Sequence, residues 1–171
     1  MKNARQVPAQ AASPLVHEDV IVFSVGAYKF AIAASVVKEI RGMEGLTQFT
    51  LGGISSKIAK LAFTLERNGI SYFVVDAARH FQLPASQPSR VMILRNGVTA
   101  LLVDITDRIL EISSLHALPR AFTHEERVWY RGLAVVNGIV LPVVNHNAFL
   151  NKAEFETLSA GLARVRGVVT V

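Results

Sequence analysis

The sequence predicts a mainly β protein built from small closed barrels with a few short helices, and three observations predict it. The first is the stretch Val91 to Asp104, VMILRNGVTALLVD, two apolar runs joined by Asn96-Gly97. A type I′ turn needs positive φ at both central residues, which Asn-Gly supplies at low steric cost, so the stretch reads as a β-hairpin. The second is that both faces of these strands are nearly apolar, so the hairpin must be covered on both sides, as in a barrel. The third is recurrence. Asn68-Gly69 opens ISYFVVD and Asn137-Gly138 opens IVLPVVN, and in all three cases the seventh residue after the glycine is short and polar: Asp76, Asp104, Asn145. Recurrent hairpins of similar strand length suggest barrels made of repeated units, although their spacing is unequal and any all-β protein can reuse Asn-Gly turns.

Taken in order, residues 1–18 are rich in Ala, Pro and Gln and read as a flexible leader. Val20 to Ala33 reads as a hairpin turning near Gly26-Ala27. Ala34 to Arg41, ASVVKEIR, reads as a short helix, with Ser35 as N-cap, Val36, Val37 and Ile40 at helical spacing, and Gly42 just past its end. Gly45 to Lys60, with Gly52-Gly53 and Ser55-Ser56, reads as a mobile loop. Leu61 to Asp76 is the next hairpin, Ala77 to Phe81 a single helical turn, and LPASQPS (Leu83 to Ser89) a linker. The central hairpin continues through Ile112, with Ile105, Ile109 and Ile112 set among charges. Thr123-His124-Glu125-Glu126 resembles a capping box. Tyr130 to Asn145 is the last hairpin, with Pro142 marking an edge or bulge. Lys152 to Arg166 reads as a terminal helix with Phe155, Leu158 and Leu162 on one face.

At 171 residues the chain fits one domain or two small barrels sharing an interface. Hydrophobic residues make up 51% and mean hydropathy is +0.36, high for a chain without a membrane span. The longest apolar segment, Gly132 to Val144, is broken by Asn137-Gly138 and Pro142 and falls short of the roughly 20 residues a spanning helix needs. Strands buried on both faces account for the surplus. Lys2 and Arg5 are not followed by an apolar run, so no signal peptide is expected. The absence of cysteine excludes disulfides and thiolate chemistry and fits the cytoplasm. A net charge of +5 and a pI near 9.9 admit nucleic acid, an acidic partner or a membrane surface. The charges are scattered, however, with Arg164/Arg166 the densest pair, which reads as a solvated surface rather than a phosphate footprint.

Chemistry is sparse. His17, His80, His116, His124 and His146 stand alone, none at the spacing of a metal motif, so no metal or cofactor is expected. Asp76, Asp104 and Asp107 sit at hairpin exits and read as turn caps rather than acid–base pairs. There is no G-x-S-x-G, GxGxxG or P-loop. Arg127-Val128-Trp129-Tyr130-Arg131 interleaves aromatics with basic residues and could stack bases, so an SH3-like or OB-like nucleic-acid module stays open as the alternative. Against it, Trp129 and Tyr130 stand at a strand start, where aromatics more often belong to the core. A hydrolase using His146 or Asp104 is the third reading.

Four blocks resemble the CheW-like domain of bacterial chemotaxis adaptors: VIVFSVGAYKFAIAASVVKEIRG (Val20 to Gly42), GISYFVVD (Gly69 to Asp76), VMILRNGVTALLVDITDRILEI (Val91 to Ile112) and RGLAVVNGIVLPVVNHNAFL (Arg131 to Leu150). Their order and spacing carry the likeness. The resemblance implies two intertwined, pseudo-symmetric, five-stranded SH3-like barrels over residues 19–151 and no enzyme activity; residues 152–171 read as a C-terminal helix and tail outside it. It implies an adaptor that couples chemoreceptors to a CheA-type histidine kinase, whose regulatory domain shares the fold. Barrel ends of adaptor and kinase pack together, and the receptor's cytoplasmic tip lies in the groove between barrels. By the matched motif V-x-E-I-R-G, Val37, Glu39, Ile40 and Arg41 fall where the family contacts the receptor. Where the family carries N-L-R-G and a following proline, this chain reads Leu65-Glu66-Arg67-Asn68-Gly69 with Phe73 at the proline position. Gly69 aligns directly and Arg67 after one insertion. The shift turns Arg67 to the opposite strand face unless a bulge restores its direction; the first is favoured, because Asn68-Gly69 fits a two-residue turn without a bulge, and it weakens receptor coupling while kinase binding persists.

Overall fold

The computed structural model describes residues 15–50, 58–95 and 97–168. Eleven strands are described: β1 (Leu15–Val25), β2 (Tyr28–Ala33), β3 (Val37–Arg41), β4 (Leu46–Gln48), β5 (Leu61–Arg67), β6 (Ile70–Asp76), β7 (Arg90–Leu94), β8 (Thr99–Val103), β9 (Ile105–Ser114), β10 (Tyr130–Val136) and β11 (Ile139–Val144). The helices are α1 (Ala77–His80), α2 (His124–Trp129) and α3 (Lys152–Val168), with short 3-10 turns at Ala34–Val36 and His146–Ala148. The strands form two curled sheets, one of five strands in the order β10-β11-β2-β1-β9 and one of six in the order β3-β7-β8-β6-β5-β4. The sixth strand is β4, inside the stretch that reads as a loop. Gly52-Gly53 and Ser55-Ser56 lie outside the described residues.

The chain passes between the sheets in a way that explains the uneven hairpin spacing. Hairpin β1-β2 sits in the first sheet and sends β3 to the second, beside β7. Hairpin β7-β8 sits in the second and sends β9 back to the first, beside β1. Hairpins β5-β6 and β10-β11 then join β8 and β2 through parallel pairs. The repeating unit is therefore two hairpins long: Asn68 and Asn137 are equivalent positions, 69 residues apart.

Each strand's two faces have different destinations. In β1, Val20 and Val22 point into the first barrel with Ala134, Leu141 and Val143, while Ile21, Phe23 and Val25 face a core common to both barrels. In β8, Ala100 and Leu102 fill the second barrel with Leu65 and Tyr72, while Leu101 and Val103 face the common core. This is why hairpins apolar on both sides were needed. Leu158 of α3 is buried in the common core and Leu162 packs beside it, whereas Phe155, expected on the same face, stays exposed.

The turns follow their residues in three cases of four. Asn68-Gly69 (φ 51° and 75°) and Asn137-Gly138 (φ 52° and 76°) are type I′ turns, and Gly26 alone has positive φ (57°), as a type II′ turn requires. At the central hairpin Asn96 lies outside the described residues, and Gly97 does not enter the left-handed region expected of it. Its flanks are engaged elsewhere: the Arg95 N–H donates to the Val36 carbonyl (2.8 Å) and the Val98 carbonyl accepts from Phe73 (2.7 Å). The polar residues that end the hairpins do act as caps. Asp76 accepts from the Ala78 and Arg79 amides, Asn145 from the Asn147 amide, and Asp104 from the Gly26 amide (2.8 Å). The capping box at Thr123 and Glu126 is present and opens α2.

Three further expectations are corrected. Residues 34–41 are not a helix: a 3-10 turn without a side-chain cap gives way to β3, because Val37 to Arg41 gain ladder partners in β7. Four residues of the expected leader, Leu15 to Glu18, belong to β1, with Leu15 opposite Ser114 and Glu18 opposite Ile112. Pro142 lies inside the first sheet rather than on its edge. It carries no N–H, and β11 and β2 pair in register there only at Val143 and Ala31.

Candidate protein-binding site

The site is built on β3, an edge strand of the six-stranded sheet. A strand points successive side chains to opposite faces, and a register shift between Val37 and Glu39 resets that alternation. Val37 is buried in the common core and offers no surface of its own. Ile40 is exposed. Glu39 and Arg41 are half-buried beside it. Arg41 donates to the Glu44 carbonyl (2.9 Å), and its buried Nε has no partner among the described residues.

Arg67 ends β5, opposite Ile70 across the type I′ turn, and Gly69 supplies that turn's positive φ. The turn is tight and unbulged at this end, as the sequence suggested. The side chain nevertheless does not turn away from β3. Its Nε donates to Glu39 Oε2 (3.3 Å) and its Nη2 to Glu39 Oε1 (3.1 Å), a forked ion pair. One residue earlier on β3, Lys38 Nζ donates to the Tyr72 hydroxyl (3.2 Å). The structure thus brings together Glu39, Ile40, Arg41, Arg67 and the Gly69 corner, and sets Val37 behind them.

The rival chemistries lose their side chains to other tasks. Trp129 and Tyr130 pack against the common core, and burial, with Glu126 nearby, pushes the Tyr130 hydroxyl up to about 12. Arg131 pairs with Glu18 (2.8 Å) and Arg127 donates to the Pro119 carbonyl (2.6 Å), so the basic–aromatic run is structural. His146 lies in a 3-10 turn, held below the usual imidazole range by burial and then by Arg131. Among the described residues no group of His, Asp and Glu is placed to hold a metal ion.

Two features escaped the sequence reading. His80 is buried, and burial, with Lys60 nearby, lowers its pKa to about 3, so its ring is neutral at ordinary pH. A lone histidine carries no sequence signal for this. The first barrel also exposes Tyr28, Ile105, Ile109, Val135, Ile139 and Val140. The Ile105/Ile109 spacing among charges was the visible trace of that surface.

The architecture is that of two intertwined barrels with exposed apolar side chains on the outside of the first. The sequence model of the CheW-like domain matches residues 19–154, and the chain belongs to that family. Among solved structures, the scaffolding protein TtCheW from Thermoanaerobacter tengcongensis is similar in fold. The two superpose with a TM-score of 0.66 at 15% identity, covering 89% of this chain and 96% of that one. No curated protein matches the chain. Among the described residues no helix is long and apolar enough to cross a membrane.

Proposed function

We propose that the chain is a non-catalytic adaptor of chemotaxis-type signal transduction that couples chemoreceptors to a CheA-type histidine kinase in the cytoplasm. The observation that carries this reading is the family match over residues 19–154, which spans both barrels. The kinase's regulatory domain docks by barrel contact, for which the apolar outer residues of the first barrel are suited. The receptor's cytoplasmic tip meets Glu39, Ile40, Arg41 and the Arg67–Gly69 corner. Receptor coupling is the weaker of the two. Glu39 and Arg67 already satisfy each other, and Phe73, buried at the proline position, contributes nothing to the surface.

Vesicles displaying a receptor cytoplasmic fragment test the adaptor role. The kinase should sediment with them only when this chain is added. Kinase left in the supernatant with the chain present, or sedimenting equally without it, overturns the reading.

A further inference from the structure

A recess of about 490 Å³ lies where the two repeats meet. Lys60 and α1 form one wall; α2, the His146–Ala148 turn and the start of α3 form the other. Its volume is in the range of small-molecule sites. No role in the adaptor function above uses it.

Lys60 and Arg79 on its walls are already matched, while the Glu125 carboxylate accepts only from the neutral Gln82 carboxamide (3.5 Å). Lys60 Nζ lies 2.9 Å from Glu154 Oε2, and both side chains are largely buried. Arg79 pairs with Asp76 (3.5 Å) and donates to the Ala59 carbonyl (3.1 Å). An anionic ligand would have to pull Lys60 or Arg79 from its carboxylate, leave that carboxylate unmatched in a partly dry site, and face Glu125 as well. Unengaged neutral groups remain. The Asn147 carboxamide makes no side-chain hydrogen bond with a described residue; only its backbone amide is used. His80 is 5% exposed, and its Nε2 has no partner. The ring is enclosed by Phe81 (4.8 Å between centroids), Phe149 (5.0 Å) and Trp129 (5.4 Å). A buried polar atom left unpaired is costly, and native structures that keep one have a use for it.

We propose that this recess binds a small uncharged ring compound carrying several hydrogen-bond donors and acceptors, of the monosaccharide or nucleobase kind. The ring lies against Trp129 and is hydrogen-bonded by Asn147, with His80 supplying a neutral polar contact from the recess wall. Because the walls come from both repeats, the bound compound bridges them.

The full chain is tested by saturation-transfer NMR and thermal shift against glucose, ribose, adenine and cytosine separately. The expected result is saturation transfer to members of one class, with a melting temperature that rises with its concentration. Asn147→Ala should weaken that binding by about tenfold or more and leave the unliganded melting temperature unchanged. His80→Phe should weaken it as well. Failure of all four compounds to bind at millimolar concentration overturns the proposal. So does unchanged binding in Asn147→Ala, or equal binding of glucuronate and adenosine monophosphate, since anionic ligands should be rejected.

Discussion

In the five-stranded barrel, the chain just after β9 is tied to β10 through the backbone: His116 N–H donates to the Leu133 carbonyl (2.8 Å), and Leu133 N–H donates back (2.9 Å). In the six-stranded barrel, β3 and β5 meet through side chains, in the Glu39–Arg67 fork. The two barrels follow one topological plan, yet the first closes with groups that no partner can compete for, and the second with groups that a partner can. The first barrel closes without drawing on its outward apolar side chains, and it is there that Tyr28, Ile105, Ile109, Val135, Ile139 and Val140 are exposed. The second barrel exposes far less, chiefly Ile40 and Ile70 at the candidate site. A stable apolar platform and an exchangeable polar latch suit two partners of different affinity.

Breaking the backbone closure should have the largest effect. Gly132 lies beside it, and a Cβ there would stand 2.6 Å from the His116 carbonyl oxygen and 2.8 Å from Leu115 Cγ. Neither atom can yield cheaply. Gly132→Val should cost about 3 kcal/mol through overpacking, read as a lower urea midpoint. Removing the latch by Arg67→Ala should cost less than about 1 kcal/mol, because both partners are substantially solvated. Equal losses would erase the distinction between the barrels.

Acid should act on the junction between them. His80 takes a proton near pH 6.5 when unfolded but only near pH 3 when folded. The unfolded state therefore binds more protons in that window, and stability from this group is full above pH 6.5 and declines as pH falls toward 3. At pH 5 the loss is about 2 kcal/mol, from about 1.4 kcal/mol per pH unit. His80→Phe should flatten that part of the pH–stability curve measured by denaturant titration; an identical slope in the variant would exclude His80 as its source.

The smallest contrast concerns the turns. Gly69→Ala and Gly138→Ala should each cost about 1 kcal/mol, since alanine resists positive φ. Gly97→Ala should be nearly neutral, because its φ lies outside the left-handed region and nothing lies within 4 Å of the added Cβ. A comparable fall in melting temperature for Gly97→Ala would contradict that placement of Gly97.

That last contrast also marks where sequence reasoning stopped. Asn-Gly is a local signal, and it located all three hairpins. What it could not convey is that Arg95 and Val98 would be claimed by Val36 and Phe73, residues distant in the chain that become neighbours only when β3 and β6 cross over. The same non-local pairing turned Val37 to Arg41 into a strand although their spacing also fits a helix. The barrel class was legible because apolar residues on both strand faces demand covering on both sides. The Glu39–Arg67 pair was not, since no pattern in the sequence links residues 28 positions apart on different strands. Asp76 and Asn145 were readable as caps because their partners lie two or three residues away.

The central claim is that the apolar barrel surface and the β3 latch serve different partners. Its most direct test titrates the chain and Glu39→Lys against a kinase regulatory domain and, separately, against a receptor cytoplasmic fragment. The account predicts that both proteins bind the kinase domain equally, while the variant's weaker affinity for the receptor fragment falls by about tenfold further, with little change in melting temperature. Loss of both affinities together, or no binding of the unaltered chain to the kinase domain, would contradict it.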